Sequence, residues 1–225
     1  SNENSHLDAV LCVLGDSVHP FIHILGNHDL AGPLERQEVA SRLGITNIAG
    51  ERLRHDGWRL IAVDSTEVSV ASADLDGIQA KHDLAQLRRQ GDPSGQCWNG
   101  RAGNAQMRQI ERQLVQANNS GDRVLVLNHM VANQQSGSLL HRCWNSSDLI
   151  QMFDRNPSVA AHFNGHDHDG GFITDEQSGI HYLTLPAICD SGAGLGAHAI
   201  AHFFKDSIAL EGWGRITSRV LGCRN

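Results

Sequence analysis

Short apolar runs alternate with stretches of helical periodicity along the chain, and that alternation predicts an α/β fold. Leu7, Val10, Leu11 and Leu14 fall at i, i+3, i+4 and i+7, one face of a helix that Gly15 closes. Phe21 to Leu25, after Pro20, reads as a buried strand. Gly32-Pro33 opens a helix with proline at its first position, and Gly44 ends it. Trp58 to Val63 is a strand, and Leu75 to Arg89 is a weakly amphipathic helix. Met107, Ile110 and Leu114 stripe a helix that stops near Gly121, ahead of a short buried strand from Val124 to Leu127. Ser147 to Phe153 reads as helical and Val159 to Phe163 as a strand. Beyond Gly170-Gly171 the pattern turns to β, with strands at Ile180 to Leu185, Ala199 to Phe204 and Ile208 to Glu211. No repeat or low-complexity tract interrupts the 225 residues, so they read as one domain.

Composition narrows the function classes. The net charge is −7, which argues against a nucleic acid polymer or an anionic membrane surface as partner. No apolar run approaches the roughly 20 residues of a membrane span. Nothing at the start of the chain has the pattern of a secretory leader. Five scattered cysteines without a C-x-x-C pair fit neither a disulfide framework nor a thiolate zinc site, and point to a reducing cytoplasm. Fourteen histidines exceed what packing requires.

Three of the apolar runs lead straight into polar clusters. Phe21 to Leu25 precedes Gly26-Asn27-His28-Asp29, Val124 to Leu127 precedes Asn128-His129, and Val159 to Phe163 precedes Asn164-Gly165-His166-Asp167-His168-Asp169. In an α/β sheet the carboxyl ends of parallel strands form the crevice where ligands bind. Asn27, His129, His166 and His168 are therefore expected at one rim as mixed nitrogen and oxygen ligands. That donor set suits manganese, iron or zinc. Two such ions about 3.5–4 Å apart can clamp a phosphoryl group and activate water. His28, beside a ligand but with its own ring free, is a candidate for protonating the leaving group, with Asp29 orienting it.

These residues resemble the last three motifs of the calcineurin-like metallophosphoesterases. Cys97-Trp98-Asn99-Gly100, Trp144-Asn145, Ile61-Ala62-Val63-Asp64 and His168-Asp169-Gly170-Gly171 narrow the resemblance to the manganese-dependent ADP-ribose/CDP-alcohol diphosphatase branch. The resemblance implies a β-sandwich flanked by helices, in αββα order, with two divalent ions, manganese foremost, at its edge. Asn27, His129 and His166 would bind one ion and His168 the other, and His28, held by Asp29, would assist the leaving group. Trp144 and Asn145 are the expected substrate contacts. The implied reaction is hydrolysis of the pyrophosphate bond of ADP-ribose or of CDP-alcohols such as CDP-choline, by a cytoplasmic monomer acting on a small nucleotide. The family opens with Asp-x-His (Asp-x-Gln in this branch) and then a Gly-Asp motif whose aspartate bridges the ions. Neither stands before Gly26. Gly15-Asp16 is read as a helix end, because parallel strands need a crossover of about a dozen residues or more. The expectation is a domain over 1–225 that is N-terminally truncated, without its first strand–helix–strand region.

Overall fold

The computed structural model describes residues 3–15, 18–32, 34–71, 77–192 and 195–224, with the side chains of 3–6 left out. Its helices are α1 (Glu3–Gly15), α2 (Arg36–Arg42), α3 (Gly77–Arg89), α4 (Asn104–Ser120) and α5 (Ser146–Asp154). The strands are β1 (Gly50–His55), β2 (Trp58–Ala62), β3 (Val68–Ser69), β4 (Gly100–Arg101), β5 (Arg123–Leu127) and β6 (Val159–Asn164), followed by β7 (Gly171–Thr174), β8 (His181–Thr184), β9 (Ala197–Phe204), β10 (Ser207–Gly214) and β11 (Arg219–Gly222). Asp16 and Pro33, both part of the sequence reading, lie outside the described residues, as do residues 72–76 before α3.

Six strands form one sheet in the order β1-β2-β5-β6-β8-β7. The four inner strands run parallel and the two edges antiparallel. Inner parallel strands are buried on both faces, which is why they read as continuous apolar runs. On one face Ile61, Val63, Val124, Val126, Val159 and Tyr182 pack against Ile110, Leu114 and Ala117 of α4 and Leu149, Met152 and Phe153 of α5. The apolar spacing of α4 is thus its core stripe, and Gly121, at φ 71°, closes the helix as the left-handed cap expected there. On the other face Trp58, Leu125, Ala161, Phe163 and Leu183 meet Ile208, Leu210 and Leu221 of a second, antiparallel sheet ordered β11-β10-β9. The Trp58 indole N–H donates to the Phe204 carbonyl at 2.8 Å and pins the two layers together. This is the expected β-sandwich with helices against its six-stranded sheet. The outward face of the second sheet leaves Ile200, Phe204 and Val220 exposed.

One predicted strand is corrected. Phe21 to Leu25 has no regular secondary structure and belongs to no sheet, and Phe21 and Ile22 are exposed. Apolar content favours burial, but a strand also needs a neighbouring backbone to receive its N–H and C=O groups. No described strand pairs with this segment. Its end still turns inward, because Leu25, Gly26 and Asn27 are buried. Among the described residues no helix is long and apolar enough to cross a membrane.

Candidate metal centre

The site is built where β5 and β6, adjacent and parallel, run out. Asn128 fixes the first turn: its backbone N–H donates to the Phe163 carbonyl at 3.0 Å, its Oδ1 accepts from the His129 N–H at 2.8 Å, and its Nδ2 donates to the Met130 carbonyl at 3.0 Å. The Gly165 N–H donates to the His129 carbonyl at 3.0 Å, stitching the two loops. His166 sits at φ 70°, a left-handed conformation uncommon outside glycine. Its surroundings hold it there, including the buried Asp167 carboxylate, which accepts from the Ser138 N–H at 2.5 Å.

Three side chains from distant parts of the sequence converge. His129 Nε2 lies 2.8 Å from Asn27 Oδ1 and 3.0 Å from His166 Nδ1. Gly26 makes this approach possible, since a Cβ at that position would stand 2.7 Å from His129 Cε1. His166 Nε2 is engaged on its far side by Asn99 Oδ1 at 2.8 Å, and the His141 ring meets His166 edge-on at 5.1 Å. Burial, with His28 and His168 nearby, lowers the His129 pKa to about 4. Burial first, then the surrounding histidines beginning with His129, lowers that of His166 to about 2. Both rings are neutral at physiological pH, the state in which imidazole binds a metal.

The donor set fits a divalent cation. Two ligands bound cis at about 2.1 Å lie about 3 Å apart, and His129 Nε2 stands at that separation from both Asn27 Oδ1 and His166 Nδ1. The far nitrogen of His166, bonded to a side-chain oxygen, follows the usual support of a metal-binding histidine. A cavity of about 790 Å³ opens over the cluster, lined also by His28, Trp98, His141, His168 and Cys189.

The remaining candidates fall differently. His168 is on the cavity wall, half exposed, with Nδ1 2.7 Å from Asp190 Oδ2. His28 is exposed and faces the cavity. Asp29 does not orient it by a hydrogen bond: its carboxylate accepts from the Gly26 N–H at 2.8 Å and closes its own turn. Trp144 and Asn145, expected as substrate contacts, are not among the residues lining this cavity. The Trp144 indole donates to the Ser94 carbonyl at 2.9 Å and Asn145 Nδ2 to the Ala102 carbonyl at 3.1 Å, so both tie loops together. Trp98, 39% exposed, is the aromatic side chain the cavity does contain. Asn99 was visible within the Cys97-to-Gly100 motif but without a role, and nothing in the sequence around His141 or Asp190 sets them apart.

No family model matches the chain. It is similar to proteins named manganese-dependent ADP-ribose/CDP-alcohol diphosphatase. The Bos taurus protein is 24% identical, with 74% of this chain and 53% of that protein aligned. The Danio rerio protein is 22% identical, over 93% and 74%, and the Arabidopsis thaliana protein 24%, over 88% and 69%. The chain thus spans about half the length of the bovine relative it matches. In structure it resembles a dimetal phosphatase from Danio rerio, with a TM-score of 0.89, 21% identity, and coverage of 99% of this chain and 78% of that one. The likeness establishes the fold.

Proposed function

We propose that the chain is a metal-dependent hydrolase of the pyrophosphate bond in nucleoside diphosphate conjugates, with ADP-ribose and CDP-alcohols as the substrate class. The observation that carries the reading is the meeting of Asn27 Oδ1, His129 Nε2 and His166 Nδ1 within 3.0 Å of one another's shared centre at His129, on the floor of a substrate-sized cavity. The names of the relatives, and the dimetal neighbour of the same fold, support the reaction class and manganese as the first metal to test. Divalent ions bound here would supply charge to polarise a phosphoryl oxygen and to activate water.

The chain's own residues do the rest. Asn27, His129 and His166 hold one ion as neutral donors, and Asn99 keeps the His166 ring oriented. His168, lining the same cavity, serves the second ion. His28 stands next to Asn27 with an accessible ring that makes no side-chain hydrogen bond among the described residues, and there it can deliver a proton to the departing phosphate oxygen. Trp98 offers an aromatic surface for the nucleobase in the same cavity. The cysteines are all unpaired, which supports a cytoplasmic setting, and a monomer is the simplest state in which to test it.

The test is turnover of ADP-ribose and CDP-choline with manganese, for the parent chain and for His28→Ala and His129→Ala. Hydrolysis abolished by His129→Ala and reduced about 10²–10⁴-fold by His28→Ala is expected. Turnover that ignores both changes would reject the reading. Tight binding of AMP or CMP without any turnover would replace it with a nucleotide-binding module.

A further inference from the structure

Beside His168, which the reading above assigns to the second ion, the same cavity carries two further donors that the reading does not use. The short turn Ile188–Asp190 lies against His168: the Ala187 N–H donates to the His168 carbonyl at 3.1 Å, and Asp190 Oδ2 lies 2.7 Å from His168 Nδ1. Cys189 is beside them, its thiol free, and one ligand atom each from His168, Cys189 and Asp190 lie within 4.8 Å of one another. All three residues are exposed, and His168 and Cys189 both line the cavity. We propose that His168, Cys189 and Asp190 together bind one divalent cation of borderline softness, zinc or cobalt rather than manganese, with its remaining position open to the cavity.

The donor chemistry decides the metal class. Bond lengths of about 2.0–2.3 Å to nitrogen, oxygen and sulfur place tetrahedral ligands roughly 3.3–3.8 Å apart, and these three atoms already lie within 4.8 Å of one another. A thiolate among them favours zinc or cobalt over manganese, which prefers oxygen. Three protein ligands with a free fourth position is the arrangement of catalytic rather than structural zinc sites. On binding, the Cys189 thiol gives up its proton to solvent, and the His168–Asp190 hydrogen bond is exchanged for two bonds to the ion. The inference rests on the two-ion reading for His168 and adds Cys189 and Asp190 to it, so the probe must separate the two donor sets.

Cobalt does so, because only a thiolate ligand gives a near-ultraviolet sulfur-to-cobalt charge-transfer band. Titration of the full chain with Co²⁺ under a phosphine reductant should produce that band together with visible ligand-field bands. Cys189→Ser should abolish the charge-transfer band and keep ligand-field absorption from the Asn27–His129–His166 cluster. Asp190→Asn should raise the half-saturating cobalt concentration for the band about tenfold or more. The band should survive in Cys97→Ser and in His129→Ala. Zinc should bleach it at concentrations where manganese does not. Ligand-field bands without a charge-transfer band in the parent chain, a band untouched by Cys189→Ser, or equal bleaching by manganese would each overturn this site and leave the Asn27–His129–His166 reading standing. No cobalt absorption of any kind would reject both. The Ile188–Asp190 turn is exposed, so unchanged far-ultraviolet circular dichroism is expected for the variants.

Discussion

At the scale of single residues, the cluster depends on groups that do not themselves donate to a cation. Asn99 Oδ1, at 2.8 Å from His166 Nε2, holds the proton on that nitrogen and leaves the Nδ1 lone pair facing His129. Asn99→Ala should therefore weaken manganese binding about 10–100-fold, as read by calorimetric titration, and an unchanged affinity would show that the tautomer is set elsewhere. Gly26 acts by absence of bulk: with a Cβ 2.7 Å from His129 Cε1, Gly26→Ala must move a ring that two partners hold. The expected outcome is a loss of manganese affinity of at least about tenfold with the far-ultraviolet circular dichroism retained, and wild-type affinity would mean the ring can shift without leaving the cluster. The motifs that bring Asn27, His129 and His166 together were legible because their residues are contiguous and follow apolar runs. His141 and Cys189 were not, and Asn99 was visible without its role, since the loop and short turns that carry them are brought to the cavity by tertiary packing. Trp144 and Asn145 were legible as polar anchors, while the groups they meet were not. Their polar groups signal a need for hydrogen bonds, and backbone carbonyls met that need.

At the scale of elements, the chain's pattern reports burial more faithfully than pairing. The inner parallel strands β2, β5, β6 and β8 were readable because both of their faces are covered. Edge strand β1 was not read, since Glu51, Arg52, Arg54 and His55 give it a polar outline. Its turn was nevertheless written in the sequence, with Asp56 at φ 45° and Gly57 at φ 77° joining His55 to Trp58 in a two-residue hairpin. Phe21 to Leu25 shows the converse, an apolar run that carries Asn27 into the site without entering a sheet. Helix α2, behind that segment, is fastened by a buried pair. The Arg36 guanidinium bonds Asp64 at the end of β2 and donates to Thr66 Oγ1 at 3.0 Å, and both charged side chains are almost wholly excluded from solvent. Removing one partner strands the other charge. Arg36→Met should cost about 3–5 kcal/mol in urea unfolding. Combining it with Asp64→Asn, which keeps an oxygen for the Thr66 N–H, should cost less than Arg36→Met alone. A double variant that is worse than the single would show that the two residues stabilise the fold independently.

At the scale of the whole molecule, stacking α4 and α5 on the six-stranded sheet seals a histidine into the core. His162 on β6 is fully buried between Phe153 and Tyr182, at ring separations of 5.7 and 5.8 Å, and neither ring nitrogen has a hydrogen-bond partner among the described residues. Burial pushes its pKa down to about 3, against 6.5 in the unfolded chain. Between those values the unfolded state binds one more proton than the folded state at this position, so stability falls as the pH falls, by up to about 1.4 kcal/mol per pH unit. The stabilising carboxylates act lower on the scale. Asp175, held down chiefly by the Ser178 N–H, gives up its contribution only as the pH drops below the usual aspartate value of 3.8. His129 and His166 are depressed in the same direction as His162, but they are common to a parent and a variant altered only at 162, and they cancel in the difference. His162→Leu, which fills a similar volume without a group to desolvate, should be at least as stable as the parent at pH 7. Its advantage in urea unfolding should widen by about 1.4 kcal/mol for each pH unit from 6 to 4. Parallel pH profiles for the two proteins would mean that His162 takes up its proton inside the fold, and that the core opens to water there under mildly acidic conditions.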